Sequence, residues 1–549
     1  MLKLVPLGGL GEIGLNMMAV EYDGAIVVID AGLMFPEDYM LGVDCVIPDM
    51  DYIRERRDRV GAILLTHAHE DHIGALPYLL RDVNAPIHAT RFTLGLVRHK
   101  LEEHGLLNTA LLNPVAPGDV LSLSPFRIEF IRVNHSVVDG VGLSIVTPLG
   151  RIVHTGDFKI SHTHMRGMAT DVNRFARIGQ EGVLALLSDS TNVEKPGYTV
   201  SDRDIGETLK GIIDRSRGRV LVALFASSIA RIQQIVDIAR ETNRKIVVNG
   251  RSLDITVSIA REMGYLQLDP ALEIDIDEVN DYPENEVAII TTGSQGEPMS
   301  ALARMASGIH KGIKIREGDT VILSSKFIPG NEKAIAKIIN NLYRRGADVI
   351  YEKISDIHVS GHAFQEELKL MIHLTRPRYF IPIHGEYRHL VLHARLAQSM
   401  GIPKRRVLMA ENGQEILFDE TGGRLGDRIG TGRVMVDGKG IGDVGRSILK
   451  ERRALSEDGF VAVTLAFDEE TGIVVYGPEI VSRGFVFMTE TGHLLDDAIC
   501  VVLEAVEDVP PDVPNRIERI RNRIQADLRR YFTFTIKRRP LILPFVLEV

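Results

Sequence analysis

Thr66-His67-Ala68-His69-Glu70-Asp71-His72 places three imidazoles and two carboxylates in six consecutive positions, directly after the apolar stretch Gly61 to Leu65. Alternate residues of an extended segment point the same way, so His67 and His69 can face one metal ion. Asp71 and His72 follow where the chain enters the helix-like run Ile73 to Leu80, so they can face a second ion. Imidazole nitrogen and carboxylate oxygen are donors that zinc accepts; they leave manganese or magnesium open. Two ions need about seven or eight ligands between them. Further candidates stand where apolar runs end: Asp30, His135, Asp157 after Gly156, and His384. Taken singly, a strand-end Asp is more often a turn former than a ligand.

These positions need a scaffold of strands. From Met1 to about Ile205 the chain reads as short strands separated by Gly and Asp turns, including Ala25 to Ile29, Gly61 to Leu65, Ile128 to Val133 and Val183 to Leu187. Between about Gly206 and Tyr351 the pattern changes to alternating strand and helix: strands at Val220 to Phe225, Lys245 to Val248, Val287 to Thr291 and Thr320 to Ser324, helices at Ile229 to Ala239, Asp254 to Met263 and Asn331 to Tyr343. Such units predict a parallel sheet covered on both faces. From about His358 the short-strand style returns. A Gly-rich stretch, Gly422 to Gly445, leads to a final β-rich start (Phe460 to Tyr476), a basic helix-like run (Ile517 to Leu528) and a last strand from Pro540 to Val549.

Gly9-Leu10-Gly11-Glu12-Ile13-Gly14 matches G-x-G-x-x-G, but a dinucleotide fingerprint requires a helix next. Asn16 to Tyr22 and Ala25 to Asp30 read instead as a hairpin around Asp23-Gly24, so the glycines are expected to form a loop near the active centre. With 549 residues, several domains are expected. The chain is 45% hydrophobic and 25% charged, ordinary for a globular protein. A net charge of -10 argues against coating nucleic acid by bulk charge, though not against a local basic channel. Cys45 and Cys500 form no disulfide framework, which fits a reducing cytosol. Neither a signal peptide nor a membrane span is read in the sequence, so a cytoplasmic protein without a membrane partner is expected.

A strand-end Asp, H-x-H-x-D-H, a later His and a Gly-Asp, in that order, resemble the metallo-β-lactamase superfamily over the first 160 residues or so. Ser188-Asp189-Ser190-Thr191-Asn192, His358-Val359-Ser360-Gly361-His362 and His384-Gly385-Glu386 resemble motifs A, B and C of its β-CASP branch, which cleaves nucleic acids. In that branch a His at motif C, here His384, marks the members that act on RNA. Gly8-Gly9-Leu10-Gly11-Glu12-Ile13-Gly14, Phe225-Ala226-Ser227-Ser228 and Gly293-Ser294-Gln295-Gly296-Glu297-Pro298 extend the resemblance to the bacterial ribonuclease J family across essentially the whole chain. His135-Ser136-Val137-Val138-Asp139-Gly140 departs from it, since members often carry a proline and a serine in this loop.

The resemblance implies an α/β metallo-β-lactamase αββα sandwich (1–205 and 352–445), an inserted β-CASP domain (206–351), a linker (446–454) and a small α+β C-terminal domain (455–549). It implies a ribonuclease with 5′-to-3′ exonuclease and endonuclease activity in RNA maturation and mRNA decay, leaving 5′-phosphate products. The expected partner is RNA, preferably single-stranded with a 5′-monophosphate, and the expected assembly a homodimer or homotetramer. Two Zn2+ per subunit, or Mn2+ or Mg2+, are expected: one on His67, His69 and His135, the other on Asp71, His72 and His384, with Asp157 bridging because a carboxylate has two oxygens. The ions would activate a shared water. His362 is expected as general acid, oriented by Asp189, with Asp30 behind the ligands. Ser227, Ser228, Ser294, Gly296, His358, Ser360, Gly361 and His362 are candidates for holding phosphate, with ordinary turn chemistry the competing reading for each single Ser. Arg516, Arg519, Arg521, Arg523, Arg529 and Arg530 are read as structural, forming ion pairs across a dimer or a solvated helix face, rather than as RNA-binding. A catalytically silent scaffold would be expected to have lost ligands, and a small-molecule metallohydrolase would not need Asp189 and His362.

Overall fold

A computed structural model describes the chain except residues 162–168, 298, 328–330, 353–356, 358–359, 486–492 and 511–512. It has two compact units, one of Met1–Phe35 with Val46–Val434, the other of Pro36–Cys45 with Met435–Val549.

The first unit is organised by two facing sheets. The eight-stranded sheet runs, edge to edge, Gly422–Arg428, Gln414–Asp419, Leu2–Gly8, Met17–Tyr22, Ala25–Ile29, Val60–Leu64, Ile87–Thr90 and Leu112–Val115. The six-stranded sheet runs Tyr379–Ile383, Ala185–Asp189, Gly150–His154, Val141–Thr147, Phe126–Arg132 and Val120–Leu123. Strand periodicity decides what lies between them. Leu2 and Leu4, Ile128 and Phe130, Leu143 and Ile145, and Ile416 and Phe418 point into one shared core. The neighbours Val153, Leu186 and Phe380 point the other way, against Phe175 and Ile178 of helix Val172–Glu181 and Leu368 and Met371 of helix Gln365–Thr375. The second sheet is thus covered on both faces, giving the layers of a metallo-β-lactamase sandwich.

The hairpin Met17–Tyr22/Ala25–Ile29 turns at Asp23 (φ 47°) and Gly24 (φ 87°), the left-handed pair that a tight two-residue hairpin requires. Two expectations give way. The run Ile73 to Leu80 is not one helix but two single turns, Glu70–Ile73 and Leu76–Leu79. The break follows Gly74, where the N–H of Ala75 donates to the carbonyl of Ala31 at 2.8 Å. The short-strand style expected after His358 is also corrected, because helices Gln365–Thr375 and Tyr387–Ser399 alternate with the strand Tyr379–Ile383. Their apolar positions recur at helical spacing, as Leu368, Met371 and Ile372 show.

Within the same unit lies a five-stranded, all-parallel sheet in the order Lys245–Asn249, Val287–Thr291, Val220–Ala223, Thr320–Leu323 and Asp348–Ile350. Its strands are apolar on both faces (Val287–Thr291 is buried throughout), as an inserted α/β domain demands.

In the second unit, strand Phe460–Phe467 lies between Val474–Arg483 and Leu541–Glu548, and helices Leu494–Glu507 and Arg516–Ile536 share a core with it. Residues 446–454, read as a linker, lie within helix Arg446–Asp458. Arg523 pairs with Asp508 and Asp527, Arg530 with Asp527, and Arg516 stacks on Phe467, in keeping with the structural reading of this basic run. Among the described residues no helix is long and apolar enough to cross a membrane.

Candidate metal centre

Strand ends deliver the site. His67 and His69 follow Val60–Leu64, Asp157 follows Gly150–His154, Asp189 ends its own strand, and His384 follows Tyr379–Ile383. The last three strands are parallel neighbours, so their C-terminal ends stand side by side. Among the described residues, ligand atoms fall into three groups that share Asp157: His67, His69, His135 and Asp157; Asp71, His72, Asp157 and His384; and Asp157, Asp189, His362 and His384, each within 4.8 Å.

In the first group, His67 Nε2 and His135 Nε2 each lie 3.1 Å from His69 Nδ1. Asp157 Oδ2 is 3.6 Å from His67 Nε2 and 3.7 Å from His135 Nε2. The partners behind the rings assign the protons. His135 Nδ1 donates to the Gly361 carbonyl at 2.8 Å, leaving the Nε2 lone pair facing inward. Thr66 Oγ1 gives its proton to Asp30 at 2.8 Å, so His67 Nδ1 donates to Thr66 at 3.1 Å and its Nε2 also presents a lone pair. Burial pushes His67 and His135 well below the usual imidazole range and His69 down to about 4. Three unprotonated nitrogens aimed at one point suit a cation.

The second group is richer in carboxylate. Asp71 Oδ2 lies 3.5 Å from His72 Nε2 and 3.4 Å from His384 Nε2, and Asp157 Oδ2 lies 3.3 Å from His72 Nε2. Burial opposes charge on His72 and His384, but the carboxylates, Asp157 foremost, outweigh it and raise both imidazoles well above their usual range. The field at this point calls for positive charge, a proton or a cation in its place. The buried Nε2 of His384 has no hydrogen-bond partner among the described residues. A small pocket opens here beside Asn16, Asp30, His72, Asp157 and His384. The residues of both groups therefore suit divalent metal.

Asp30 sits behind the ligands. It accepts from the Thr66 N–H at 2.7 Å and from His72 Nδ1 at 2.8 Å, which turns His72 Nε2 inward. Asp30 (φ 59°) and His384 (φ 53°) both hold left-handed backbone conformations that strain a side-chain-bearing residue.

His362 Nδ1 meets Asp189 Oδ2 at 2.8 Å, beside Asp157 at 3.9 Å. Asp189 is buried and fixed by Thr191, whose N–H and hydroxyl donate to Oδ1 at 3.0 and 2.7 Å. The His362 side chain keeps 20% of its surface open. Burial opposes its charge, yet Asp189 and Asp157 prevail and raise it above the ordinary value. Ser360 Oγ accepts from Asn192 Nδ2 and from the His362 N–H. Gly361 packs so closely that a Cβ there would stand 2.5 Å from His135 Cε1.

Asn16, Thr66 and Asn192 complete the centre although the sequence did not single them out. Asn16 Nδ2 lies 3.2 Å from His72 Nε2 and 3.3 Å from Asp71 Oδ2. Asn192 Nδ2 also holds the His362 carbonyl at 3.1 Å. The available signal was adjacency, since each is a polar residue flanking a motif already marked. The Gly-rich run is followed by no nucleotide-binding helix and lies by the site as expected, but it is not simply a loop: Leu10–Gly11 is a short strand paired in parallel with Gly385–Glu386, next to His384.

Comparisons with known proteins decide the family. The profile described as "Ribonuclease J, beta-CASP domain" matches residues 217–342, and "Ribonuclease J C-terminal domain" matches 447–549. "Metallo-beta-lactamase superfamily" matches 10–196, and "Zn-dependent metallo-hydrolase RNA specificity domain" matches 346–407. Ribonuclease J2 of Bacillus subtilis (strain 168) is 42% identical over 547 residues, which span 100% of this chain and 98% of that protein. Ribonuclease J of Thermus thermophilus is 44% identical over 555 residues, spanning 100% and 95%.

The chain belongs to the ribonuclease J family.

The family's metallo-β-lactamase domain, with its inserted β-CASP and C-terminal domains, is the architecture described above. A protein of unknown function from Enterococcus faecalis V583, 18% identical, shares the fold at a TM-score of 0.54, with 76% of this chain and 99% of that one covered.

The remaining ribonuclease J candidates lie on the parallel sheet. Ser227 and Ser228 precede helix Ile229–Glu241, and Ser294 and Gly296 follow strand Val287–Thr291. The strands leading to these two loops are parallel neighbours, so both loops leave the same edge of the sheet. Ser227 and Ser228 are half-buried, whereas Ser294 is buried. His358 lies outside the described residues.

Proposed function

We propose that this protein is a two-metal ribonuclease that hydrolyses RNA phosphodiesters, with 5′-to-3′ exonuclease and endonuclease activity serving RNA maturation and mRNA decay. One divalent ion would be held by His67, His69, His135 and Asp157, the other by Asp71, His72, His384 and Asp157. Zinc is the proposed metal, with manganese or magnesium as substitutes. Bound there, the ions supply an acidified water and neutralise phosphate charge.

The chain's own residues do the rest. Asp157 shares its carboxylate between the two groups. Asp30 and the Gly361 carbonyl orient His72 and His135. Asp189 occupies Nδ1 of His362, so the other ring nitrogen, Nε2, is the one that donates a proton to the departing 3′ oxygen. The 5′ phosphate stays on the downstream fragment. Ser360, whose oxygen accepts two hydrogen bonds, still has its O–H to donate to a phosphate oxygen. Ser227, Ser228, Ser294, Gly296 and Gly361 are proposed phosphate contacts, as is His362 itself, with single-stranded, 5′-monophosphorylated RNA the preferred substrate.

The observation that carries this reading is the Asp189–His362 pair set directly against two cation groups. A partition at about residues 205, 351 and 445 is proposed, with the matches at 10–196, 217–342 and 447–549 leaving room for the first and last of these. A homodimer or homotetramer in the cytoplasm is proposed with it; Cys45 and Cys500 form no disulfide among the described residues, as a reducing compartment favours.

The test is digestion of 5′-monophosphorylated RNA, labelled at either end, by wild type and by His362→Ala. Wild type is expected to release mononucleotides stepwise from the 5′ end. The variant is expected to lose about 10²- to 10⁴-fold in kcat with both metals retained. Internal cuts alone would remove the exonuclease assignment. No cleavage with two metals bound would overturn the enzyme reading.

A further inference from the structure

Glu367 is a carboxylate buried without a cation. It is 0% exposed, and among the described residues four donors meet it, none of them charged. The Ile160 N–H donates to Oε1 at 2.7 Å, and the Thr199 hydroxyl donates to the same oxygen at 2.9 Å. The Thr199 N–H donates to Oε2 at 2.9 Å and the Phe364 N–H at 2.8 Å.

One of these bonds is ordinary. Glu367 is the third residue of helix Gln365–Thr375, and a Glu there reaches back to the N–H that precedes the helix, here that of Phe364. A surface cap would make that bond alone. Burial of a charge is costly unless hydrogen bonds replace its water, and here the other three come from chain outside the helix. Both oxygens face backbone N–H groups, so an amide NH2 in either place would meet a donor.

The segments joined at Glu367 are those that carry the chemistry. Ile160 is three residues beyond Asp157, and Phe364 is two beyond His362. Thr199 lies on the chain that runs from Asp189 and Asn192 to helix Asp202–Arg215. That chain is sewn to the His362 segment twice more, by the Gln365 N–H to the Lys195 carbonyl at 3.0 Å and the Glu366 N–H to the Gly197 carbonyl at 3.1 Å. Lys159 ties it to the Asp157 loop, with Nζ 2.6 Å from Asp202 Oδ2. No direct bond spans the 3.9 Å between His362 Nδ1 and Asp157 Oδ2, so their spacing depends on how the two backbones are held.

We propose that Glu367 is a positioning residue for the reaction, holding the His362 segment in register with the Asp157 loop so that the proton donor meets the leaving oxygen. The proposal rests on the ribonuclease reading above and deepens it by naming what sets the donor's place.

The test is a double-mutant cycle on the full-length metal-loaded protein, read as kcat and KM on single-stranded, 5′-monophosphorylated RNA. Glu367→Gln keeps the shape of the side chain and removes one acceptor oxygen. It is expected to lower kcat roughly 10- to 100-fold, the effect of a donor displaced by up to about 1 Å. KM should stay at the wild-type value, because Glu367 is closed to solvent, and metal content should match wild type. In the His362→Ala background the same change should cost little more, since no donor is left to place. Thr199→Val removes one bond and leaves the carboxylate. It should give a smaller kcat loss with the same dependence on His362, and Thr199→Ser should keep wild-type kcat. The Thr199 variants carry the test if Glu367→Gln does not fold. Wild-type kcat in the variants would overturn the proposal, as would a rise in KM alone, a loss of metal, or losses that persist in full without His362. Wild type that cleaves no RNA would sink the ribonuclease reading and the positioning role together, whereas cleavage with losses independent of His362 would sink the positioning role alone.

Discussion

His362 and Asp189 show how much a single contact carries. Burial alone would make His362 a poor proton donor by holding it below its ordinary range. Asp189 and Asp157 reverse that and raise it. A raised value keeps the acid form present to higher pH, so activity should fall as pH rises through it. Asp189→Asn removes the nearest opposing charge and leaves burial dominant. The basic limb of the kcat–pH profile is expected to move to lower pH by about one unit or more. An unmoved limb would mean that another group is the acid. Gly361 acts at the same scale through space rather than charge. Its absent side chain lets His135 approach, and its carbonyl takes the His135 proton. Gly361→Ala should displace that ring and weaken metal binding at the three-histidine group about 10- to 100-fold, read by competition with a chelating dye. Wild-type affinity would show that the ring can move aside without loss.

At the scale of elements, strand ends place the ligands and the inserted sheet keeps its own integrity. Arg219 and Asp319 form a two-pronged ion pair inside that sheet, with Nε–Oδ1 at 2.9 Å and Nη2–Oδ2 at 2.7 Å. Their side chains are 2% and 1% exposed. Removing one partner strands a buried charge, which costs about 3–5 kcal/mol. Asp319→Ala is therefore expected to lower the urea midpoint of the inserted domain by a corresponding amount, whereas a loss below about 1 kcal/mol would show that water or Lys314 takes over. The Lys314 carbonyl already accepts from Arg219 Nη2 at 2.7 Å.

Across the whole first unit, the metal centre joins residues far apart in sequence. Asp30, the His67–His72 run, His135, Asp157 and His384 follow the ends of five different strands drawn from both sheets. Ions bound there favour the folded state by mass action, about 2.7 kcal/mol per site at a hundredfold excess over Kd. Exhaustive chelation should lower the melting temperature of this unit, and zinc or manganese should restore it. A melting curve indifferent to chelation would mean that the centre is preformed without metal.

Local chemistry was legible wherever a signal was dense and short in range. The run His67 to His72 declared a metal site because six adjacent positions leave little room for accident. Asp23-Gly24 declared a hairpin because both residues tolerate the left-handed backbone. The strands Ala25–Ile29 and Val287–Thr291 were readable from apolar runs between turn residues. The helix read across Ile73 to Leu80 failed because a tertiary bond, from Ala75 N–H to the Ala31 carbonyl, interrupts a locally plausible pattern. Asn16, Thr66 and Asn192 escaped notice for the same reason, since their work is done on partners elsewhere in the chain. The residue types and their order along the chain thus determined that cations can be held and that a histidine–carboxylate pair stands by. Only the tertiary structure decided that His135 donates a hydrogen bond to a carbonyl 226 residues away, that His72 turns its Nε2 inward, and that Asp157 belongs to every one of the candidate cation groups. Ring orientation is set by the atoms behind the ring, and those atoms arrive from distant strands that local propensity cannot place.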